Sequence, residues 1–178
     1  MKTFVVTLLF LSLTFSSYAQ EKVQKVTKEG AMKIIDLPAV VIKSAGDDFS
    51  VYLPDMNSDP KVRTLQDRFI AYDLGKNFEG YETYLVYMEI NDGSLSATYD
   101  ETGKLIRVVE EYKDVKLPAP VIYTVYKTYP GWEIVKDKYL YSQKEGDVLK
   151  KEYNLKIKNG KESRKLTVHA DGNILAEK

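Results

Sequence analysis

The chain has 178 residues, with 26 basic and 26 acidic side chains, one histidine and no cysteine. That balance lacks the basic excess through which proteins bind nucleic acid or anionic membrane surfaces. With no thiol present, disulfides, cysteine nucleophiles and thiolate metal sites are excluded together.

The N-terminus reads as an export signal. Met1-Lys2 makes a short positive start, Thr3 to Phe15 an uncharged apolar run, and Ser16 to Gln20 a small, polar stretch. Signal peptidase requires small side chains three residues and one residue before the cut. Ser17 and Ala19 meet that need, so a leader over residues 1–19 is expected, cleaved between Ala19 and Gln20. The apolar run is shorter than the roughly 20 residues that span a bilayer. The expected product is a soluble periplasmic or secreted protein with no membrane insertion. Removing 19 residues from 178 leaves 159, enough for one domain or two small halves. Lys2 is the leader's only charged residue, so 25 basic side chains remain against 26 acidic ones.

Residues 20–30 are polar and aperiodic and read as a flexible tail. Ala39 to Lys43 and Phe49 to Leu53 are β-prone runs around Gly46-Asp47-Asp48, which predicts a hairpin. A helix follows. Asp59 caps its free N–H groups, Pro60 opens it where no donor is needed, and Gly75 lies beyond its end. Val62, Leu65, Phe69 and Tyr72 fall on one stripe.

From Gly80 the apolar period becomes two. Tyr84, Val86, Met88 and Ile90 share one strand face; Leu95, Ala97 and Tyr99 share another; Ile106, Val108 and Tyr112 continue. The turns contain Asn91-Asp92-Gly93 and Asp100-Glu101-Thr102-Gly103, so the three strands are predicted to form an antiparallel meander. Leu117-Pro118-Ala119 starts a second helix, with Val121, Ile122, Val125, Tyr126 and Tyr129 on its apolar stripe, and Pro130-Gly131 ends it. Four more strand-like runs follow: Trp132 to Tyr141, Val148 to Lys158, Ser163 to Ala170 and Asn173 to Ala176. In the second of these, Leu149, Tyr153, Leu155 and Ile157 alternate with polar neighbours.

The organisation is helix plus meander, twice. A first unit with an N-terminal hairpin is expected over 31–115, and a second over 116–178. Two echoes agree: Leu37-Pro38-Ala39 with Leu117-Pro118-Ala119, and Thr98 to Ile106 with Thr167 to Leu175. The fold class is therefore α+β, with tandem helix-plus-antiparallel-meander units.

An exported chain with a Leu-Pro-initiated, tyrosine-rich helix, then Tyr129-Pro130-Gly131-Trp132, then a meander with Asp-Gly turns, resembles the PepSY-like family of exported bacterial proteins. The likeness is best from Tyr81 to Leu175 and weaker over residues 31–75. It implies a fold similar to the β-lactamase inhibitor protein and a non-catalytic module that binds or restrains other proteins, peptidases among them. No catalytic residues come with that family.

The residues themselves offer little chemistry. His169 is the sole histidine and falls on the polar side of its strand. A Ser-His-Asp relay or a zinc site would need partners that the chain does not mark. Asp55-x-Asn57-x-Asp59 begins like a calcium loop. Pro60 then stands where such a loop needs glycine, and Gln66 where it needs a bidentate glutamate. The helix cap explains the same residues, so neither a metal nor a cofactor is expected. Adjacent carboxylates such as Glu110-Glu111 point to opposite strand faces and cannot share a site. No phosphate-cradling glycine motif or nucleophile elbow is present.

Tyrosine is the compositional anomaly, 14 against one Trp and six Phe. Its ring suits half-buried strands and also contact surfaces. Leu85 and Tyr87 lie opposite the Tyr84-Val86-Met88 face, and Trp132, Tyr139 and Tyr141 are expected to extend them into an exposed binding strip. The reading is a module for an envelope or secreted protein or peptide, inhibitory towards a peptidase or another envelope enzyme. The alternative is a small-molecule or ion (calcium) sensor, built on the acidic Asp47–Asp59 region or on a cleft between the two units. An exported hydrolase ranks last.

Overall fold

Alternating apolar residues between Gly-containing turns make strands wherever the sequence pattern is strict. The structure, a computed structural model, describes residues 41–45, 48–74 and 82–178, with side chains from residue 51 onward. The leader and its cleavage site, the tail, the first Leu-Pro-Ala echo, the Gly46-Asp47 turn and the helix stop at Gly75 lie outside the described residues.

Strands β1 (Val41–Ala45) and β2 (Asp48–Tyr52) form an antiparallel hairpin. Helix α1 (Pro60–Ala71) follows. The Asp59 carboxylate accepts from the Lys61 N–H at 2.7 Å, which is the predicted cap. Its buried side is Val62, Leu65, Gln66 and Phe69.

β3 (Thr83–Ile90), β4 (Gly93–Asp100) and β5 (Leu105–Lys113) are the predicted meander. Asp92 takes the left-handed conformation at the first turn (φ 59°). Gly93 opens β4 because a Cβ there would lie 2.6 Å from Tyr112 Cδ1. Helix α2 (Ala119–Thr128) leads to β6 (Glu133–Lys144), β7 (Asp147–Asn159), β8 (Glu162–His169) and β9 (Ile174–Glu177).

The fold is mixed α+β, dominated by one seven-stranded antiparallel sheet whose strands lie in chain order from β3 to β9. The expected boundary after residue 115 falls between two strands that pair directly, Arg107–Lys113 of β5 with Lys138–Lys144 of β6. Both meanders therefore share a single sheet, and α2 is the connection between two neighbouring strands. One face of that sheet is covered. A single buried cluster joins Val62, Leu65 and Phe69 of α1, Val121 and Val125 of α2, and inward residues of β3 through β8.

Two periodicity readings need correcting. Of the α2 stripe, only Val121, Val125 and Tyr129 are buried, whereas Ile122 and Tyr126 are exposed. A helix of 10 residues resting on a sheet buries a narrow row at i, i+4, and the adjacent row turns to water. Leu149 is likewise exposed. The β6–β7 register slips at Ser142/Gln143, so Lys150 opposes Ser142, Val148 opposes Gln143, and Leu149 is the extra residue. Among the described residues no helix is long and apolar enough to cross a membrane.

Candidate functional site

The two faces of the sheet have opposite chemistry. On the covered face, β5 to β7 present polar side chains inward: Glu110, Tyr112, Tyr139, Tyr141, Gln143 and Tyr153, all buried. Their partner is the segment from Val51 to Asp59, which leaves β2 after Tyr52 and is irregular from Leu53 onward. A buried segment without regular structure has backbone and side-chain polar groups that need partners, and this platform supplies them. The Gln143 side chain accepts from the Leu53 N–H at 2.9 Å and donates to the Val51 carbonyl at 2.5 Å. The Tyr141 hydroxyl donates to the Leu53 carbonyl. The Tyr139 hydroxyl donates to Asp55 at 2.5 Å, Lys151 pairs with the same carboxylate, and Asn57 Nδ2 donates to the Tyr153 hydroxyl at 3.0 Å.

Glu110 is the most enclosed charge of this network. It accepts from the hydroxyls of Tyr52 and Tyr112, each at 2.7 Å, and from Gln66 Nε2 at 3.0 Å. Burial pushes its carboxyl above the usual range, and these three donors pull it partly back. Burial, and then the Glu110 carboxylate, hold the Tyr52 and Tyr112 hydroxyls well above the ordinary phenol value. Among the described residues, no buried side-chain nitrogen or oxygen lacks a partner. The network is largely buried, with Lys151 at its solvent edge, and its buried polar atoms are all paired, which is the chemistry of a structural joint.

Tyr139 and Tyr141 therefore do not belong to an exposed strip. They are buried (0% and 2% exposed) because their inward register is needed to hold the 51–59 segment. Trp132 is half-buried on the covered side. Its ring packs edge-on against Tyr129 at 6.2 Å, and the Arg164 guanidinium sits 4.9 Å from its centroid. Arg164 also pairs with Glu177 at 2.5 Å, and Glu177 accepts from the Tyr129 hydroxyl at 2.6 Å. Leu85 and Tyr87 are the exception: both are exposed (64% and 58%) on the uncovered face.

The acidic segment is used otherwise than as a cation loop. Asp59 accepts from the backbone of both Lys61 and Lys116 at 2.7 Å, and Asn57 Oδ1 accepts from the Asp59 N–H at 2.9 Å. No cluster of three or more metal-ligating acids or histidines occurs among the described residues. His169 meets Asp171, with Nδ1 2.9 Å from the carboxylate; no Ser or Thr hydroxyl bonds it among the described residues.

The uncovered face is the candidate functional surface. Across the strands, Tyr87 is registered with Ser96, Ser96 with Val109 and Val109 with Ser142, so one row carries a ring, two hydroxyls and an aliphatic side chain. Further along, Lys113 opposes Lys138, Lys138 opposes Asn154 and Asn154 opposes Thr167. In the next row Lys136 opposes Lys156, which opposes Lys165. These lysines border a shallow groove of about 730 Å³. Sequence reasoning missed the groove. Lys156 and Lys165 do alternate with inward apolar residues, but the register that sets them side by side is a property of strand pairing.

The chain matches no known family model and no curated protein. Among solved structures it is similar to a DUF2874 family protein from Bacteroides ovatus, at 11% identity over 56% of this chain and 71% of that chain, with a TM-score of 0.34.

Proposed function

We propose that this chain is a non-catalytic binding module that acts outside the cytoplasm. It holds another protein or peptide against the uncovered face of its sheet and restrains a peptidase or another envelope enzyme. The observation that carries the reading is Leu85 and Tyr87 standing in solvent on that face, the two large apolar side chains of β3 to β5 that are exposed. An exposed tyrosine ring beside an exposed aliphatic side chain is a surface that can anchor a contact. The leader pattern supports export. The Tyr-Pro-Gly-Trp and Asp-Gly features support a PepSY-like, β-lactamase-inhibitor-like architecture for the two helix-plus-strand stretches.

The test is affinity capture from the native envelope fraction with tagged full chain, beside the Leu85→Ala/Tyr87→Ala variant. The expected result is a protein band recovered by the parent and lost with the variant. Equal recovery by both baits removes the uncovered face from consideration. Trp132→Ala serves as a control, because its ring contacts Tyr129 and Arg164 on the covered side.

A further inference from the structure

Lysines on the uncovered face are placed against the usual economy of a sheet. Like charges directly opposite one another on neighbouring strands are destabilising. Yet Lys113 faces Lys138, Lys136 faces Lys156, and Lys156 faces Lys165. Lys178 joins the same end through two backbone bonds to Lys165. The chain has as many acidic as basic residues, 26 of each, so a shortage of counter-charge is not the cause. Lys138 has Glu111 at 2.8 Å, but Lys113, Lys136, Lys156 and Lys165 form no ion pair among the described residues. Elsewhere in the sheet charges do pair, as Lys150 with Glu152 and Arg164 with Glu177. Repulsion retained at one place calls for a partner that relieves it.

We infer that this lysine groove recognises an acidic segment of a protein partner, its ammonium groups meeting successive Asp or Glu carboxylates. The inference rests on the uncovered face being the binding surface and names the chemistry of what binds there. Continuity favours a peptide over an anionic polysaccharide. Lys113 borders the basic groove and also a second hollow of about 370 Å³ lined by Tyr87, Glu89 and Glu111. The face thus runs from a ring with three carboxylates, Glu89, Asp92 and Glu111, at one end to a groove at the other where lysines outnumber the two lining aspartates, Asp114 and Asp137. Strands lie about 4.8 Å apart, so the five spacings from β3 to β8 cover about 24 Å, the length of roughly seven extended residues. A peptide can carry an apolar side chain at one end and carboxylates at the other. A sulfated or uronate chain is anionic throughout and would meet Glu89 and Glu111.

The experiment is fluorescence anisotropy on the full chain at low ionic strength. One labelled heptapeptide carries Leu-Phe followed by five Glu; a second carries five Gln instead; a heparin-derived octasaccharide is the third probe. The Glu peptide is expected to bind at least tenfold more tightly than the Gln peptide. Lys156→Glu/Lys165→Glu is expected to weaken it at least tenfold, and Arg63→Glu/Lys161→Glu, an equal charge change outside the groove, less than twofold. Lys156→Gln/Lys165→Gln repeats the measurement with a milder change, and circular dichroism checks that each variant is folded. Equal weakening by the two reversals, or binding of the octasaccharide without the Glu peptide, overturns the inference. If the groove reversals leave peptide affinity unchanged while Leu85→Ala/Tyr87→Ala still abolishes partner capture, the groove fails and the binding-module reading stands.

Discussion

The Tyr139 hydroxyl on β6 donates to the Asp55 carboxylate, 84 positions earlier in the chain, at 2.5 Å. That bond ties the segment between hairpin and first helix to the middle of the sheet. A hydrogen bond to a charged acceptor contributes about 1.5–3 kcal/mol, so Tyr139→Phe should lower unfolding free energy by about that amount. Asp55→Ala should destabilise more, because it strands both the hydroxyl and the Lys151 ammonium. Urea unfolding measures both; equal stability of Tyr139→Phe and the parent would contradict the joint.

Glu110 should give stability a pH slope. Its folded carboxyl is raised by burial, against about 4.3 for an unfolded glutamate. The folded state therefore holds the proton more tightly. The stabilisation is complete below the unfolded value and is lost as pH rises through the folded one. Glu110→Gln removes that titration. Urea unfolding of both proteins from about pH 4 to about pH 7 should show the parent losing stability relative to the variant as pH rises.

The buried tyrosines extend the same reasoning to alkali. Burial, then the neighbouring Glu110 or Asp55 charge, keeps the hydroxyls of Tyr52, Tyr112, Tyr139, Tyr141 and Tyr153 protonated beyond the usual range. An unfolded tyrosine ionises near pH 10, about where these groups begin to withdraw their stabilisation. Ultraviolet titration carried above about pH 10 should show the buried set ionising in one cooperative step together with loss of the β-sheet dichroism. Smooth independent ionisation of all tyrosines in the folded state would be inconsistent with their burial.

Gly172 couples the β8–β9 turn to α2. Its φ is +100°, and a Cβ would lie 2.8 Å from the Pro120 carbonyl and 2.9 Å from Thr124 Oγ1. Gly172→Ala should destabilise by more than the roughly 1–2 kcal/mol of a left-handed L-residue. Gly160→Ala, with φ +58° and nothing within 4 Å, should stay within that range. Thermal melting of the two variants separates strain from clash.

Calcium should leave the protein unchanged. The oxygens of Asp55, Asn57 and Asp59 already accept from a tyrosine hydroxyl, a lysine and three backbone N–H groups. Calorimetric titration is expected to give heat of dilution only, and a saturable isotherm would reopen the cation reading.

What was legible in the sequence was local. The cap at Asp59-Pro60 and the alternation of Leu95, Ala97 and Tyr99 depend on neighbours along the chain, and both are found as read. The echoing turns are found too: Asp100 accepts from the N–H groups of Thr102 and Lys104, and Asp171 from that of Asn173. Leu149 and Ile122 were misread for a different reason. A bulge at Leu149 in the pairing of its strand and the narrow footprint of a short helix leave no mark on periodicity.

By itself the sequence determined which stretches are strands and helices, and that Leu85 and Tyr87 lie opposite the inward side chains of their strand. Only tertiary structure decided that the tyrosines of β6 and β7 are buried supports for residues 51–59, and that scattered lysines stand side by side. Side-chain direction along one strand follows from backbone geometry. Which strands become neighbours, in what register, and which face is covered depend on contacts between residues far apart in the chain.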